Sequence, residues 1–175
     1  MTDPALLDEV VQSASRVVVL GSDIDLATVL TRLLRLDRLG VEVAHPSGRG
    51  AARRALSAGT QRIPLIRDET GRVLVGRARW QAAVEGEQLE GEGIVDDTVL
   101  FDGAVTGVQI EALPEMPGLR ARVVGTGWRS GPWVSGRAAQ LGTPGAIVVR
   151  DGVAASRPVR RSTFYRHIEG WLRVG

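Results

Sequence analysis

The chain has 175 residues, 43% of them hydrophobic and 24% charged, which excludes a disordered protein and predicts a self-sufficient globular core. All 22 basic residues are arginine, which excludes a Walker A lysine and a Schiff-base lysine, and the absence of cysteine excludes disulfides and thiolate chemistry. The net charge of +2 does not by itself indicate a nucleic-acid-binding protein.

The lysine-free, arginine-rich composition is typical of a high-GC genome, such as an actinobacterial one. Residues 1–15 carry acids and no basic targeting segment, and no apolar run reaches the roughly 18 residues that a membrane span needs. We therefore expect a cytoplasmic protein without a transmembrane segment.

The first 60 residues alternate between helical and strand patterns. The helix pattern with the broadest apolar face places Leu26, Val29, Leu30 and Leu33 on one side. In chain order we predict a helix over 4–15, a strand over 16–20, a helix over 25–39, a strand over 41–44 and a helix over 51–57. This order predicts a short parallel sheet with helices, an α/β part that occupies residues 1–60.

The remaining residues, 61–175, predict a second, β-rich part. Two runs, 63–67 and 72–77, flank Asp68-Glu69-Thr70-Gly71 and indicate a hairpin. Short strand-like runs separated by Gly, Pro and Asp follow over residues 98–101, 105–111, 119–124, 133–141, 146–150 and 159–165. The fold class predicted is an α/β N-terminal part followed by a mainly antiparallel β lobe.

A glycine turn between the first strand and the second helix is the first motif that suggests chemistry. Val17 to Leu20 run into Gly21-Ser22-Asp23 before the helix, and such a turn presents backbone N–H groups and a helix N-terminus to phosphate. This segment resembles the GGDGT turn of the diacylglycerol kinase, sphingosine kinase and NAD kinase superfamily.

Three further segments carry the same resemblance, in the same order along the chain. Residues 41–56, with the loop His45-Pro46-Ser47-Gly48-Arg49-Gly50, are similar to the strand, glycine loop and helix of the family's GTGND segment. Residues 70–76 resemble the strand that enters the β-rich lobe, and Asp151-Gly152-Val153 looks like the DGE turn. The resemblance implies a lipid kinase-like catalytic domain that is shortened at its N-terminus, since the family begins with another strand, loop and helix.

Departures from the family pattern predict that the chain is catalytically inactive. Ser22 replaces the second glycine of the turn, and Ile24 and Asp25 stand where Gly and Thr would let phosphate approach. Ala51 and Ala52 replace polar residues of the loop, and Val153 replaces the acid of the DGE turn. We therefore predict no catalytic residues and no metal ligands. What the resemblance still implies is a residual site for a nucleotide, phosphate, lipid head group or other anionic metabolite, at Gly21, Ser22, Asp23, Ser47, Gly48, Arg49, Gly50 and Asp151.

Several side chains have a plainer interpretation beside the functional one. Asp23 could organise a nucleotide or cap the following helix, and the cap is favoured. His45 could be a general base at the carboxyl ends of the strands or a solvated loop side chain, which is commoner. Asp96 and Asp97 could hold a cation or form a turn, and the turn is favoured. Trp128, Trp133 and Trp171 are expected to fill the β lobe.

Charge is segregated along the second half of the sequence. Acidic residues dominate 85–119, whereas ten arginines follow from Arg120 onward. The two stretches could pair in the fold, or the arginines could form an anion-binding face. Residues 157–167 mix arginine and aromatics, but their alternation favours a half-buried strand over a nucleic-acid interface.

The alternative to a ligand-binding domain is a dimeric assembly module. If part of the α/β lobe is missing, the parallel sheet should expose an edge at 17–20 or 41–44, and exposed edges are often covered by another subunit. A homo-oligomer, most simply a dimer, is therefore expected.

Overall fold

The computed structural model describes residues 4–48, 50–125 and 130–175. Within these ranges the helices are α1 (Pro4–Ser13), α2 (Asp23–Arg35) and α3 (Ala51–Ala55). The strands are β1 (Arg16–Val18), β2 (Glu42–Ala44), β3 (Thr60–Ile63), β4 (Ile66–Asp68), β5 (Val73–Leu74), β6 (Arg77–Ala82), β7 (Leu89–Val95), β8 (Thr98–Val105), β9 (Val108–Ala112), β10 (Leu119–Val123), β11 (Val134–Gly136), β12 (Ala138–Arg150), β13 (Val153–Ala154), β14 (Val159–Arg166) and β15 (Trp171–Val174). No helix of the described chain has the length and apolar character needed to cross a bilayer.

A small sheet of four strands carries the first core. Its order is β1-β2-β15-β3, with β1 and β15 parallel to β2 and β3 antiparallel to β15. Helix α2 buries the face predicted from the sequence, and its leucines pack with Val43 and Trp171. Helix α1 adds the fully buried Val11 to the same core. The short parallel sheet with helices is thus confirmed.

A large antiparallel sheet carries the second core. Its longest strand, β12, pairs with β14, β6 and β7 and so connects most of the layer. The buried side chains include Trp80 and Phe164, whose ring centroids are 6.2 Å apart. The fold class predicted from the sequence is thus confirmed: a small sheet with parallel strands and helices, and a large antiparallel sheet.

The structure changes several of the predicted strands. The run 63–67 is interrupted at Pro64: β3 ends in the small sheet and β4 begins in the large one, because proline has no N–H to donate to a ladder. The run 72–77 divides into β5 and β6 at Val75-Gly76. Residues 138–150 form one strand with a register shift between Gly142 and Ala146, although Pro144 and its neighbours predicted a break. Strands β7, β13 and β15 were not predicted, and β3 and β6 each share only one residue with a predicted run.

Strand β15 alters the predicted sheet edges. It lies between β2 and β3, so residues 41–44 are central and the edge expected there is wrong. Within the described residues β1 pairs only with β2 and is an edge. The predicted boundary near residue 60 falls at the start of β3, a strand of the small sheet. Both the two-lobe division and the dimer stay predictions.

Charge and tryptophan placement differ from the sequence-based expectation. Among the described residues, one ion pair joins the acidic stretch to the arginine-rich one, between Glu111 and Arg120. Trp171 packs in the small-sheet core, and Trp133 is half-buried with the Arg120 and Arg122 guanidiniums 4.2 and 4.3 Å from its ring centroid. Trp128 lies outside the described residues. Residues 159–166 form the predicted strand, which buries Ser162 and Phe164.

Candidate functional site

In the turn after β1, the side-chain carboxylate of Asp25 is hydrogen-bonded to the turn itself. Its Oδ2 accepts a hydrogen bond from the backbone N–H of Ser22 at 2.8 Å and another from the Ser22 hydroxyl at 2.8 Å. These bonds, the N–H bond first, hold the pKa of Asp25 below its ordinary value. A side chain at Gly21 would collide with the same carboxylate. Two donors of this turn, the Ser22 N–H and the Ser22 hydroxyl, are therefore satisfied from within the chain.

The helix cap is Ser22 rather than Asp23, so the cap predicted at Asp23 is wrong by one residue. Ser22 has the extended backbone of an N-cap, with φ −87° and ψ 173°, and Asp23 is the first residue of α2. Because Asp25 reaches back to the Ser22 N–H, the Asp23 carboxylate is not needed for capping. It instead points toward His45 and Gly76.

His45 joins the ends of the first two parallel strands. Its Nε2 donates to the carbonyl oxygen of Gly21 at 2.9 Å, and its Nδ1 lies 3.9 Å from Oδ1 of Asp23. The His45 side chain is 23% exposed, so it is not the solvated loop histidine that was favoured. Because a carbonyl only accepts, Nε2 carries the hydrogen, and a proton added at Nδ1 would face the Asp23 carboxylate.

Asp151 binds the backbone at the junction between β5 and β6. Its Oδ1 accepts from the N–H groups of Gly76 (2.8 Å) and Arg77 (3.0 Å), and its Oδ2 accepts from Val75 N–H at 3.2 Å. Burial raises the pKa of Asp151, the three N–H groups oppose that shift, and the nearby Asp23 charge adds to it. This carboxylate explains why the predicted 72–77 strand divides.

Gly76 lies between the carboxylates of Asp23 and Asp151. A Cβ atom there would be 3.1 Å from Oδ1 of Asp151 and 3.2 Å from Oδ2 of Asp23. The absence of a side chain thus lets the first turn of α2 and the turn after β12 approach the same point. Four of the predicted residues, Gly21, Ser22, Asp23 and Asp151, are brought together here with His45, which the site prediction left out.

The predicted glycine loop does not join this cluster. Ser47, Gly48 and Gly50 are exposed and line none of three cavities found in the described chain, and Arg49 lies outside the described residues. Gly48 and Gly50 have φ of 90° and 74°, a region that favours glycine, and lead directly into α3. In the structure, Gly48 and Gly50 form the turn that precedes α3.

A cleft between the two sheets opens beside this cluster, with a volume of about 240 Å³. Its polar lining comes from Asp23, His45 and Arg173, and apolar side chains form the rest of the wall, among them Leu30, Leu74, Leu113, Pro114 and Trp171. We call it the inter-sheet cleft. Arg173 was not predicted because β15 was not, whereas His45 carried a signal in its position after β2.

The pair Asp96-Asp97 was interpreted from the sequence as a turn or a cation site. In the structure, Asp96 has a structural role. Its carboxylate accepts hydrogen bonds from the N–H groups of Arg137 and Ala138 at 2.9 to 3.1 Å. Across the described ranges, no three or more His, Asp or Glu side chains gather as a metal site. Asp96 therefore stabilises the start of β12.

Comparison with known proteins supports the fold. No protein-family model matches the sequence, and a search of curated proteins finds no match. Among solved structures, an NAD kinase from Archaeoglobus fulgidus in complex with ATP is similar with a TM-score of 0.68 and 14% identity, over 96% of this chain and 80% of that one. A candidate diacylglycerol kinase from Bacillus anthracis str. Sterne is similar with a TM-score of 0.70 and 11% identity, over 97% and 80%. The chain therefore has the NAD kinase and diacylglycerol kinase-like fold.

Proposed function

We propose that this protein is a catalytically inactive kinase-like protein that binds an anionic metabolite, such as a nucleotide or a lipid head group, in the inter-sheet cleft. The observation that carries the inactive part of the proposal is the Asp25 carboxylate, which takes the Ser22 N–H and hydroxyl. A phosphate at this turn would have to displace a negative charge that already has ideal donors. Binding by the turn itself is therefore unfavourable.

The loss of these donors is large enough to remove catalysis. Phosphoryl transfer depends on groups aimed at the transferring phosphate, and each one lost costs about 3–4 kcal/mol of transition-state stabilisation. Asp25 removes two donors at once and adds repulsion. Ile24, 43% exposed at the same turn, adds a branched side chain where a phosphate would need close backbone approach.

The turn after β12 offers no replacement for a general base. The Asp151 carboxylate is committed to three backbone N–H groups, and the residue two positions later is Val153. A general base must reach the hydroxyl from which it takes a proton. Asp151 is held against the chain instead.

The inter-sheet cleft keeps features that suit an anion. Arg173 supplies a guanidinium to the cleft. Asp23 lines the same cleft and brings a negative charge that opposes an anion. Arg173 is itself exposed, so water screens part of its attraction to an anion, and the apolar wall adds contacts for the uncharged part of a ligand.

An assay with ATP, Mg²⁺ and either diacylglycerol or NAD as acceptor tests the inactive part of the proposal. We expect no transfer of radiolabelled phosphate above the enzyme-free background, because the turn holds Asp25 rather than phosphate. A working kinase assayed in parallel controls for the substrates. Turnover in the usual kinase range of roughly 1–100 s⁻¹ would overturn the proposal.

Thermal unfolding with ATP, inorganic phosphate and glycerol 3-phosphate tests the binding part. At a ligand concentration of 100 times Kd we expect about 2.7 kcal/mol of stabilisation, which is roughly 5–10 °C in Tm for a chain of this size. Arg173→Gln should weaken binding roughly tenfold, since it removes a charge-assisted hydrogen bond. Arg160→Gln, on the exposed side of β14 and outside the cleft, is the matched control. Equal binding by the two variants would exclude this cleft.

A further inference from the structure

A second and larger cavity lies against a different face of α2 from the inter-sheet cleft. Its volume is about 450 Å³, and its walls come from α1, α2, the β4–β5 hairpin and the turn between β12 and β13. We propose that this cavity, called here the α2 groove, binds a small amphipathic anion: one carboxylate or phosphate group on an apolar body of roughly ten carbon atoms.

The charged lining of the α2 groove leaves two arginines for an anion. Four arginines and Asp151 line it. Arg32 is paired with Asp8 through two guanidinium nitrogens. Arg150 has its Nε 2.6 Å from Oδ2 of the fully buried Asp68, a charge contact that is not aligned as a hydrogen bond. Asp151 in turn is held by three backbone N–H groups.

The two remaining arginines are Arg35, in the last turn of α2, and Arg72, just before β5. Both are exposed, and neither has an ion-pair partner among the described residues. They come from different elements and line the same cavity. Two guanidiniums on separate walls can hold one carboxylate or phosphate between them, in the forked geometry that arginine favours.

One hydroxyl of the groove adds a neutral donor. Thr31 Oγ1 accepts the N–H of Val73 at 2.9 Å, which fixes the oxygen and leaves its own hydrogen free to donate. Thr28, by contrast, donates its hydroxyl hydrogen to the carbonyl of Ile24 at 2.8 Å. Thr31 is thus the second kind of group that can bind an acidic head in this groove.

The groove also has exposed apolar side chains, which an anion without an apolar part would leave in water. Ile24 and Val153 are 43% and 51% exposed, and both line it. Ala27, Val73 and Ala155 continue the apolar surface. Large hydrophobic side chains left in water at a concave site lower their free energy when an apolar ligand covers them. Charge on the rim and apolar side chains along the wall together match an amphipathic anion.

Binding here does not depend on the function proposed for the inter-sheet cleft. Asp23, His45 and Arg173 line the cleft and not the groove, while Arg35 and Arg72 line the groove and not the cleft. Substitution of Arg173, or of Arg35 and Arg72, therefore removes lining residues from one site only.

Isothermal titration calorimetry with four probes tests the proposal. Decyl phosphate and decanoate, used below their critical micelle concentrations, are the two-part probes, because each has an acidic head and an apolar chain. Inorganic phosphate and decanol are the one-part probes, because the first lacks the chain and the second lacks the charge. We expect one-to-one binding of at least one two-part probe, at least roughly tenfold tighter than either one-part probe. The relative affinities of decyl phosphate and decanoate then tell a phosphate ligand from a carboxylate one.

Paired variants locate the site. Arg35→Gln with Arg72→Gln should weaken the two-part probe roughly a hundredfold, about tenfold for each guanidinium removed. Arg53→Gln with Arg160→Gln removes the same charge from exposed positions outside the groove and should leave the affinity unchanged. No binding of either two-part probe, equal affinities of the two double variants, or inorganic phosphate binding as tightly as decyl phosphate would each overturn the proposal.

Discussion

Asp151→Ala should lower the free energy of unfolding by about 2–4 kcal/mol, because three backbone N–H groups at Val75, Gly76 and Arg77 lose their acceptor. The backbone adds to the loss, since Asp151 has φ 46° and alanine tolerates this left-handed region less well than Asp or Asn. Chemical denaturation followed by circular dichroism measures the change.

Asp151→Asn tests the effect of the negative charge of Asp151 separately from the effects of its backbone conformation and acceptor oxygen. Asparagine keeps one acceptor oxygen and tolerates the positive φ, so its loss should be smaller than that of alanine. Burial raises the pKa of Asp151, so the wild type gains stability relative to Asp151→Asn as pH falls and loses that gain as pH rises through the raised pKa. Asp102→Ala, exposed on β8, is the control. An alanine variant within 0.5 kcal/mol of this control, roughly the scatter of surface substitutions, would contradict the prediction.

Trp80→Ala should cost about 3–5 kcal/mol, the range found for large aromatic side chains removed from cores. Trp80 is 1% exposed in the large-sheet core, beside Phe164. Its Nε1–H donates to the buried Ser162 hydroxyl at 3.0 Å, so the substitution also removes the partner of that hydroxyl. Equilibrium unfolding in urea, followed by circular dichroism because tryptophan fluorescence changes with the substitution, gives the difference.

Two further variants test the cause of that loss. Ser162→Ala leaves the indole N–H without its partner and should cost about 1–3 kcal/mol. Trp133→Ala removes a half-buried ring that lies under two arginines and should cost less than Trp80→Ala. If Trp133→Ala were the more destabilising of the two, the large-sheet core would not be centred on Trp80.

The parts of the fold that the sequence predicts correctly are those in which the signal is local. The α2 helix shows its buried stripe within a few turns. The strand predicted over 16–20 also forms, but β1 ends at Val18, three residues before Gly21. Strand β15 has no such signal, because Trp171–Val174 is only four residues long, includes the charged Arg173, and has its partners at residues 42–44 and 60–63. Long-range pairing decides that it is a strand.

The candidate site is predicted in part for a similar reason. Gly21, Ser22, Asp23 and Asp151 belong to short motifs and meet in the structure, but the role of each depends on contacts between segments. Asp25 was expected to repel phosphate, and the structure adds that it occupies the Ser22 amide itself. His45 and Arg173 enter the cleft through tertiary placement, which spacing alone cannot give.

The position of β15 makes the order of synthesis matter for this protein. Residues 42–44 and 60–63 leave the ribosome early, yet their partner is residues 171–174, so the small sheet stays open until nearly the whole described chain has been made. Pairing between residues so far apart in the sequence is slow to form, and until it forms an unpaired strand edge can associate with other chains. A chain without residues 171–174 would leave the facing edges of β2 and β3 unpaired, and such edges associate readily with other chains.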